Sequence, residues 1–241
     1  MKKIITAVIL VSAACLCLSA EEIYLASGAG YKRPVNEIAQ TFKKETSITV
    51  NCIYGNMNQI IAQSKKTGKV SLMIGDSSFL KKSGISFVKK QELGKGKLVL
   101  AFPEKIKITS IEDLLKTDIK KIVLPDGTKA IYGKAAFEAL SAVNIHERLK
   151  ESDRLLVVQT VPQVTAYLSS GEADAGFLNI TDCMSLDNKK FSYIEIDKKL
   201  YSPIVIECGL TSSADENSVK FYDYLKSDSA AAVFRKYGLS E

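Results

Sequence analysis

The turn Ser27-Gly28-Ala29-Gly30 lies between an apolar segment, Ile23 to Ala26, and a helical pattern with Pro34 in its first turn. The first four backbone N–H groups of a helix have no partner within the helix, and they lie at the positive end of its dipole. Because glycine has no Cβ, a ligand can approach those N–H groups closely. The spacing predicts a site for a small anion at the start of this helix.

Two later segments repeat the order of strand, turn and helix start. The run Lys121 to Leu124 is followed by a turn and a helix that begins at Ala130. The run Leu155 to Gln159 is followed by a helix that begins at Val161-Pro162, and proline is common at such starts. Both turns therefore place unpaired N–H groups after a strand.

The residues favour a binding protein over an enzyme. The chain has one histidine, His146, within a polar segment at the end of a helical pattern. Without a second histidine, neither a serine triad nor a multi-histidine metal site can be assembled. Glu172 and Asp174 stand in a glycine-flanked turn, where a role in the turn is the simpler interpretation. No cofactor is expected.

The sulfur-containing residues leave one alternative open. Met57, Cys183 and Met184 together with acidic residues could form a mixed, soft donor set of the kind that binds copper, although their spacing is not that of a metal site. Cys52 and Cys208 each lie in an apolar strand-like run and are expected to be buried in the core. Three cysteines follow the leader, so at most one disulfide can form.

Residues 1–20 have the three parts of a secretory signal: basic Lys2 and Lys3, an apolar stretch, and small residues before Glu21. The mature chain is expected to begin at Glu21 and to reside in the periplasm. Lipid attachment at Cys15 is the alternative, but a serine three residues before that cysteine fits a lipoprotein signal poorly.

The charge of the chain gives no indication of nucleic-acid binding. Two of the 33 basic residues and none of the 27 acidic residues lie in the leader, which leaves a net charge of +4. The lysines occur as scattered pairs, as on a solvated surface, and do not form a single basic stripe.

Short β-branched runs alternate with helical patterns along the chain, as in α/β proteins with parallel sheets. The predicted strands are Ile23 to Ala26, Ile48 to Ile53, Leu72 to Ile74, Lys97 to Phe102, Lys121 to Leu124, Leu155 to Gln159, Phe177 to Ile180 and Ser202 to Leu210. Between the first two, Val35, Ile38 and Phe42 share one face of a helix.

Several segments together resemble a known family. They are Ser27 to Gly30 with Pro34, Tyr54-Gly55 before a helix with Gln59, Ala130 to Lys134, Gly171 to Gly176 with Thr181-Asp182, and the C-terminal Val219 to Lys226, Ala230-Ala231 and Phe234 to Gly238. The chain resembles periplasmic molybdate- and tungstate-binding proteins, the solute-capturing subunits of ABC importers. The similarity spans nearly all of the mature chain.

The resemblance implies a two-lobed periplasmic binding protein of type II. Each lobe would be a mostly parallel sheet flanked by helices, and two hinge strands would join the lobes. Lobe one would comprise residues 21–99 and 207–241, and lobe two residues 100–206. The protein would be a monomer that captures solute between closing lobes and delivers it to an ABC permease in the inner membrane.

The resemblance also implies which positions hold the ligand. In the family, a tetrahedral dianion is bound by N–H groups at four helix starts, by two serine-type hydroxyls and often by a tyrosine. The hydroxyl positions correspond to Gly30 and Met57, the backbone positions to Lys129 and Val161, and the tyrosine position to Asn179. Both serine hydroxyls are therefore missing here.

The energies of the individual interactions show what the loss of the two hydroxyls means for affinity. Four helix ends contribute roughly 1 to 4 kcal/mol at ~0.3 to 1 kcal/mol each, whereas micromolar binding requires about 8 kcal/mol. A hydrogen bond to a charged group contributes about 1.5 to 3 kcal/mol, so compensating donors are needed. Candidate donors are Ser27, the amides of Asn56, Asn58 and Asn179, and the charged ammonium group of Lys129. Replacement of Lys129 by alanine is expected to weaken anion binding at least tenfold.

Two ligand hypotheses remain open: a small oxyanion such as molybdate or tungstate, or a different solute or metal species for which amides and a thioether are better partners. A sensor that uses the same fold without a transporter is also open. The predicted ligand-binding residues are Ser27, Gly28, Ala29, Gly30, Asn56, Met57, Asn58, Lys129, Ala130, Val161 and Asn179.

Overall fold

The computed structural model describes residues 21–239, so the predicted leader and Cys15 lie outside the described residues. The strands are β1 (Glu22–Gly28), β2 (Thr49–Gly55), β3 (Leu72–Asp76), β4 (Phe87–Gly96), β5 (Leu98–Pro103), β6 (Ile122–Pro125), β7 (Leu155–Val158), β8 (Ala175–Asn179), β9 (Phe191–Glu195) and β10 (Ile204–Thr211). The α-helices are α1 (Lys32–Thr46), α2 (Met57–Thr67), α3 (Ser77–Lys82), α4 (Ile131–Ala142), α5 (His146–Glu151), α6 (Val161–Ser169), α7 (Ile180–Cys183), α8 (Glu216–Tyr224) and α9 (Asp228–Lys236).

The strands form two five-stranded sheets with the same plan. The first sheet has the order β2-β1-β3-β10-β4 and the second the order β7-β6-β8-β5-β9. In each sheet the first three strands are parallel and the last two run antiparallel to their neighbours. The two-lobed α/β fold is confirmed, and each sheet is mixed because one strand, β10 or β5, runs antiparallel to both of its neighbours.

The chain passes between the sheets at two points. It leaves the first sheet after Gly96 and enters the second at Leu98, which pairs with Asn179. It returns at Ile204, which pairs with Gly96. The exact lobe limits stay a prediction, although strand pairing assigns Leu98 and Val99 to the second sheet and Ile204 to the first.

The apolar faces predicted from periodicity form the core. Val35, Ile38 and Phe42 of α1 are buried, and Phe42 packs edge-to-face on Phe221 of α8 with ring centroids 4.9 Å apart. Leu98 and its neighbours through Phe102 are all buried, because helices or strands cover both faces of β5. The C-terminal helices therefore pack on the first lobe.

Parallel strands end at the same edge of their sheet, so the helices that follow them begin near one another. In the first lobe, β1 leads through a single 3₁₀ turn, Ala29–Tyr31, into α1, and β2 leads into α2. In the second lobe, β6 leads to α4 and β7 to α6. This arrangement brings four helix starts together.

Along residues 21–239, no helix combines the length and the apolar character needed to span a membrane. The three cysteines of this segment are all free. Cys208 is fully buried and Cys52 is partly buried.

Candidate ligand-binding cleft

The starts of four helices line one cavity between the two lobes. The volume of this cavity is about 40 Å³, which is more than one bound water requires. The lining residues are Gly28, Ala29, Gly30 and Tyr31 from the start of α1, Gly55, Asn56 and Met57 from α2, Asp76 from the end of β3, Lys129, Ala130, Ile131 and Tyr132 from α4, and Thr160 and Val161 from α6.

Three of these starts combine residues that line the cavity with N–H groups that have no partner within their helix. Neither the 3₁₀ turn that begins at Ala29 nor α4 has a side chain bonded as an N-cap. As first residues of their helices, Ala29, Ile131 and Val161 have N–H groups without an intrahelical acceptor. Pro162 has no N–H, which leaves Val161 as the donor at α6. These groups can bind an anion.

The start of α2 is already satisfied from the opposite lobe. The Met57 N–H donates to the carbonyl oxygen of Lys129 at 3.1 Å. Asn56 and Gln59 form a reciprocal capping box, in which the Asn56 N–H donates to Gln59 Oε1 at 3.2 Å. This helix start therefore closes one wall of the cavity and offers fewer donors than the other three.

The hydrogen-bond donors of Lys129 already have acceptors within its own lobe. Its N–H donates to the Asp126 carbonyl oxygen at 3.0 Å, as does the Ala130 N–H at 2.8 Å. Its Nζ lies 2.8 Å from Gln159 Oε1 and 3.0 Å from Asp126 Oδ2. The open donors of α4 consequently begin at Ile131, two residues beyond the predicted backbone position.

Asn179 joins the two lobes next to the cavity. Its Nδ2 donates to the Gly30 carbonyl oxygen at 2.9 Å, and Thr181 Oγ1 donates to the same oxygen at 3.0 Å. Its Oδ1 accepts from the Asp182 N–H and caps α7. The Asn179 amide is thus used in holding the lobes together.

The Met57 side chain fills a space in the core of the first lobe. It packs with Ala26, Ile60 and Leu80. A Cβ at Gly75 would lie 2.8 Å from the Met57 Sδ, so the glycine makes room for the thioether. The packing is the common use of methionine as a flexible filler.

Two tyrosines that line the cavity bond each other through their hydroxyls. Tyr31 Oη donates to Tyr132 Oη at 2.9 Å, and both residues are at least 96% buried. Burial raises the pKa of both phenols well above the usual value, and the nearby carboxylate of Asp76 raises the pKa of both further. Both hydroxyls are therefore neutral and protonated at physiological pH.

Asp76 places a carboxyl group at the cavity wall. The residue is 2% exposed, and its Oδ1 accepts from the Ser78 N–H at 2.9 Å as the N-cap of α3. A carboxylate accepts hydrogen bonds but cannot donate them when ionised. It disfavours an anion and favours a ligand group that donates a hydrogen bond.

The comparisons agree with this architecture. Residues 23–240 match the family model described as bacterial extracellular solute-binding protein. The chain belongs to this family. The molybdate-binding protein ModA of Rhodobacter capsulatus is 27% identical over 244 residues, an alignment that covers 97% of this chain and 94% of the relative. The molybdate-binding protein ModA of Azotobacter vinelandii is 24% identical over 229 residues, an alignment that covers 91% of this chain and 90% of the relative. The solved periplasmic molybdate-binding protein of Azotobacter vinelandii has the same fold, with a TM-score of 0.82, 21% identity and coverage of 91% of this chain and 99% of that one.

Membership in this family makes the chain a solute-binding protein and not an enzyme. Of the residues predicted from the sequence of this solute-binding protein, eight line the cavity: Gly28, Ala29, Gly30, Asn56, Met57, Lys129, Ala130 and Val161. Their contact with a ligand stays a prediction.

Three predicted residues lie outside the cavity lining. Ser27 is fully buried and its Oγ donates to the Gly28 carbonyl oxygen, while Asn58 Nδ2 donates to the Thr128 carbonyl oxygen at 3.2 Å. Asn179 lies between the lobes as described. In each case a backbone carbonyl oxygen already accepts the side-chain donor.

The structure does not bring the soft donor set together. Met57 lines the cleft, whereas Cys183 and Met184 line a separate cavity with Asp187. Within residues 21–239, no group of three or more His, Cys, Asp and Glu side chains has an arrangement that could hold a metal ion. The copper alternative therefore has no structural support.

Sequence reasoning missed Tyr31, Tyr132 and Asp76. Tyr31 and Tyr132 each fall within two residues of a predicted helix start, and Asp76 closely follows the predicted strand Leu72 to Ile74. A search for polar side chains at these junctions would have found all three.

Proposed function

We propose that this protein is the solute-binding subunit of an ABC importer and captures a small oxyanion in the cleft. The observation that carries the proposal is the convergence of helix starts from both lobes on one cavity. The ligand would accept hydrogen bonds from the N–H groups at the starts of α1, α4 and α6, with Gly28, Ala29, Gly30, Ala130 and Val161 forming the surrounding surface.

The energetics of this arrangement suffice without the serine hydroxyls. Three helix ends contribute roughly 1 to 3 kcal/mol in total, and micromolar affinity requires about 8 kcal/mol. Each hydrogen bond to a charged group adds about 1.5 to 3 kcal/mol. The three open N–H donors therefore supply the difference, provided that the ligand is compact enough to reach all of them.

Molybdate and tungstate are the oxyanions that we propose first. The support is the name of the Rhodobacter and Azotobacter relatives, both molybdate-binding proteins, and a cavity suited to an ion of a few atoms. The absence of hydroxyls at Gly30 and Met57 implies weaker binding than a site with both, unless other hydroxyls replace them.

Capture would occur by closure of the lobes about the two chain crossings. Direct hydrogen bonds between the lobes, such as Met57 N–H to the Lys129 carbonyl oxygen, stabilise the closed form. A ligand that contacts both lobes only when they are closed shifts the population toward that form. We further propose that the mature protein is a periplasmic monomer, and that an inner-membrane permease receives the closed form.

A second candidate ligand is a small solute that carries a hydrogen-bond donor as well as an anionic group. Asp76 favours this candidate, because its buried carboxylate at the cavity wall is an acceptor. Hydrogen phosphate is a simple probe of this kind, since it has one proton that molybdate lacks at neutral pH.

Calorimetric titration of residues 21–241 with molybdate, tungstate and hydrogen phosphate tests the proposal. Saturable heat with one site per chain is expected for molybdate or tungstate, together with a rise in the melting temperature. Binding of hydrogen phosphate alone would favour the second candidate. The absence of heat at millimolar concentrations of all three would reject oxyanion capture.

A further inference from the structure

The Tyr31 and Tyr132 hydroxyls meet across the cleft at the point where two helix starts converge. Tyr31 belongs to the turn that leads into α1 of the first lobe, and Tyr132 to the first turn of α4 in the second. Their oxygens are 2.9 Å apart. Both residues line the same cavity as the open N–H groups.

One proton of this pair has no acceptor. Each phenol has a single O–H donor, and Tyr31 uses its proton in the bond to Tyr132 Oη. Among the hydrogen bonds of residues 21–239, none accounts for the proton of Tyr132, although the residue is only 3% exposed. A buried phenol normally finds a hydrogen-bond partner.

The surroundings of Tyr132 hold its hydroxyl in place. The hydroxyl lies against Gly96 at the end of β4, where a side chain would overlap it. The same hydroxyl accepts from Tyr31 Oη, and the two rings are tilted by 53°. Tyr132 lines the cavity together with Asp76, and burial and the Asp76 carboxylate both raise the pKa of Tyr132.

We propose that Tyr132 donates its hydroxyl proton to the bound anion and that Tyr31 orients it. The pair would thereby replace the hydroxyl donors that Gly30 and Met57 cannot supply. This inference rests on the proposed oxyanion site. It assigns Tyr132 as a ligand-binding residue and Tyr31 as its positioning residue.

The chemistry of the pair sets a requirement on the ligand. Because Tyr132 acts as a donor, the ligand must present an acceptor oxygen at this position. Because Tyr31 belongs to the other lobe, a ligand that polarises the Tyr132 hydroxyl also strengthens the bond between the lobes. Ligand recognition and closure are coupled at this pair.

The test compares Tyr132→Phe and Tyr31→Phe with the wild type. Calorimetry measures the dissociation constant for molybdate or tungstate, whichever the wild type binds more tightly. Tyr224→Phe is the matched control, because its hydroxyl bonds Glu45 and Ser229 on the surface of the first lobe. Phenylalanine keeps the ring volume in each variant, and melting temperatures without anion verify folding.

The dissociation constant is expected to rise roughly 10- to 150-fold in Tyr132→Phe, the range for loss of one hydrogen bond to a charged group. Tyr31→Phe keeps the Tyr132 donor, so its dissociation constant is expected to rise less than about fivefold. The dissociation constant of Tyr224→Phe is expected to stay within about twofold of the wild-type value. Equal losses in Tyr31→Phe and Tyr132→Phe would mean that the pair only joins the lobes, and this would overturn the assignment.

A second measurement keeps the inference testable if Tyr132→Phe does not fold. In wild-type protein labelled with ¹³C at tyrosine Cζ, saturation with the anion is expected to shift the Tyr132 resonance and leave Tyr224 unchanged. If the wild type binds the anion but the Tyr132 resonance does not shift, the role of Tyr132 is overturned while the proposed function stands. The same holds if Tyr132→Phe binds the anion as tightly as the wild type. Failure of the wild type to bind any oxyanion would reject the proposed function and this inference together.

Discussion

Asn179 Nδ2 donates to the Gly30 carbonyl oxygen at 2.9 Å and thereby joins the lobes beside the cavity. A Cβ at Gly30 would lie 2.8 Å from that nitrogen, closer than ordinary packing allows. The family resemblance implies a hydroxyl at the position of Gly30 and a tyrosine at the position of Asn179. The glycine and the asparagine found there therefore depend on each other. The two departures from the family pattern form one structural unit.

This dependence predicts that Gly30→Ser is destabilising. The added side chain would displace Asn179, and overpacking of this kind costs roughly 1 to 3 kcal/mol. For a chain of this size, we expect a fall in melting temperature of about 2 to 10 °C. Calorimetry of Gly30→Ser, Asn179→Ala and the double variant would show non-additivity, because one clash is relieved in the double variant. Ala62→Ser, on the exposed face of α2, is the control. Strictly additive changes in melting temperature would show that Gly30 and Asn179 do not depend on each other.

Asp76→Asn is expected to tighten binding of a fully deprotonated oxyanion by on the order of tenfold, or about 1.4 kcal/mol. The substitution removes a negative charge from the cavity wall, while asparagine still caps α3. The matched control is Asp215→Asn, which caps α8 through the Ser218 N–H at 2.8 Å and lies outside the cavity lining. Weaker binding in Asp76→Asn would instead show that the ligand donates a hydrogen bond to this carboxylate.

Lys129→Gln is expected to change anion affinity by less than about threefold. The sequence alone predicted a tenfold loss on removing this charge, but the ammonium group is already paired with Asp126 and Gln159. Partly exposed pairs of this kind contribute about 0 to 1 kcal/mol. Titration of molybdate at two salt concentrations measures the effect, and a tenfold loss would place the ammonium group on the anion.

Anion affinity is expected to stay constant between pH 7 and about pH 9.5. The pKa values of Tyr31 and Tyr132 are raised by burial, so each phenol keeps its proton above the pH at which an ordinary tyrosine begins to ionise. Loss of the proton would remove the donor and add a negative charge, and binding would weaken. Calorimetry across this range checks the prediction; a decline that Tyr132→Phe abolishes would show that Tyr132 ionises early.

The helix starts were predictable from sequence because local chemistry defines them. The glycine turn before α1, the start at Ala130 and the proline after Val161 each mark a boundary within a few residues. Strands β4 and β9 were missed because they are sheet edges. The segment Phe87–Gly96 is rich in charged residues and largely exposed, so it lacks the apolar run typical of a buried strand.

Which donors remain open in the cleft could not be predicted, because contacts between distant segments decide it. The Met57 N–H is taken by Lys129, which lies far away in the sequence, and Asn179 is taken by Gly30. The Tyr31 and Tyr132 pair likewise depends on how the lobes face each other. Such pairings depend on tertiary geometry and have no local signature in the chain.

We expect a small oxyanion to bind where the helix starts converge. Calorimetric titration of the wild-type chain, residues 21–241, with molybdate and tungstate tests it most directly. One saturable site per chain is the predicted result. No measurable heat and no rise in melting temperature at millimolar concentrations of either anion would contradict it.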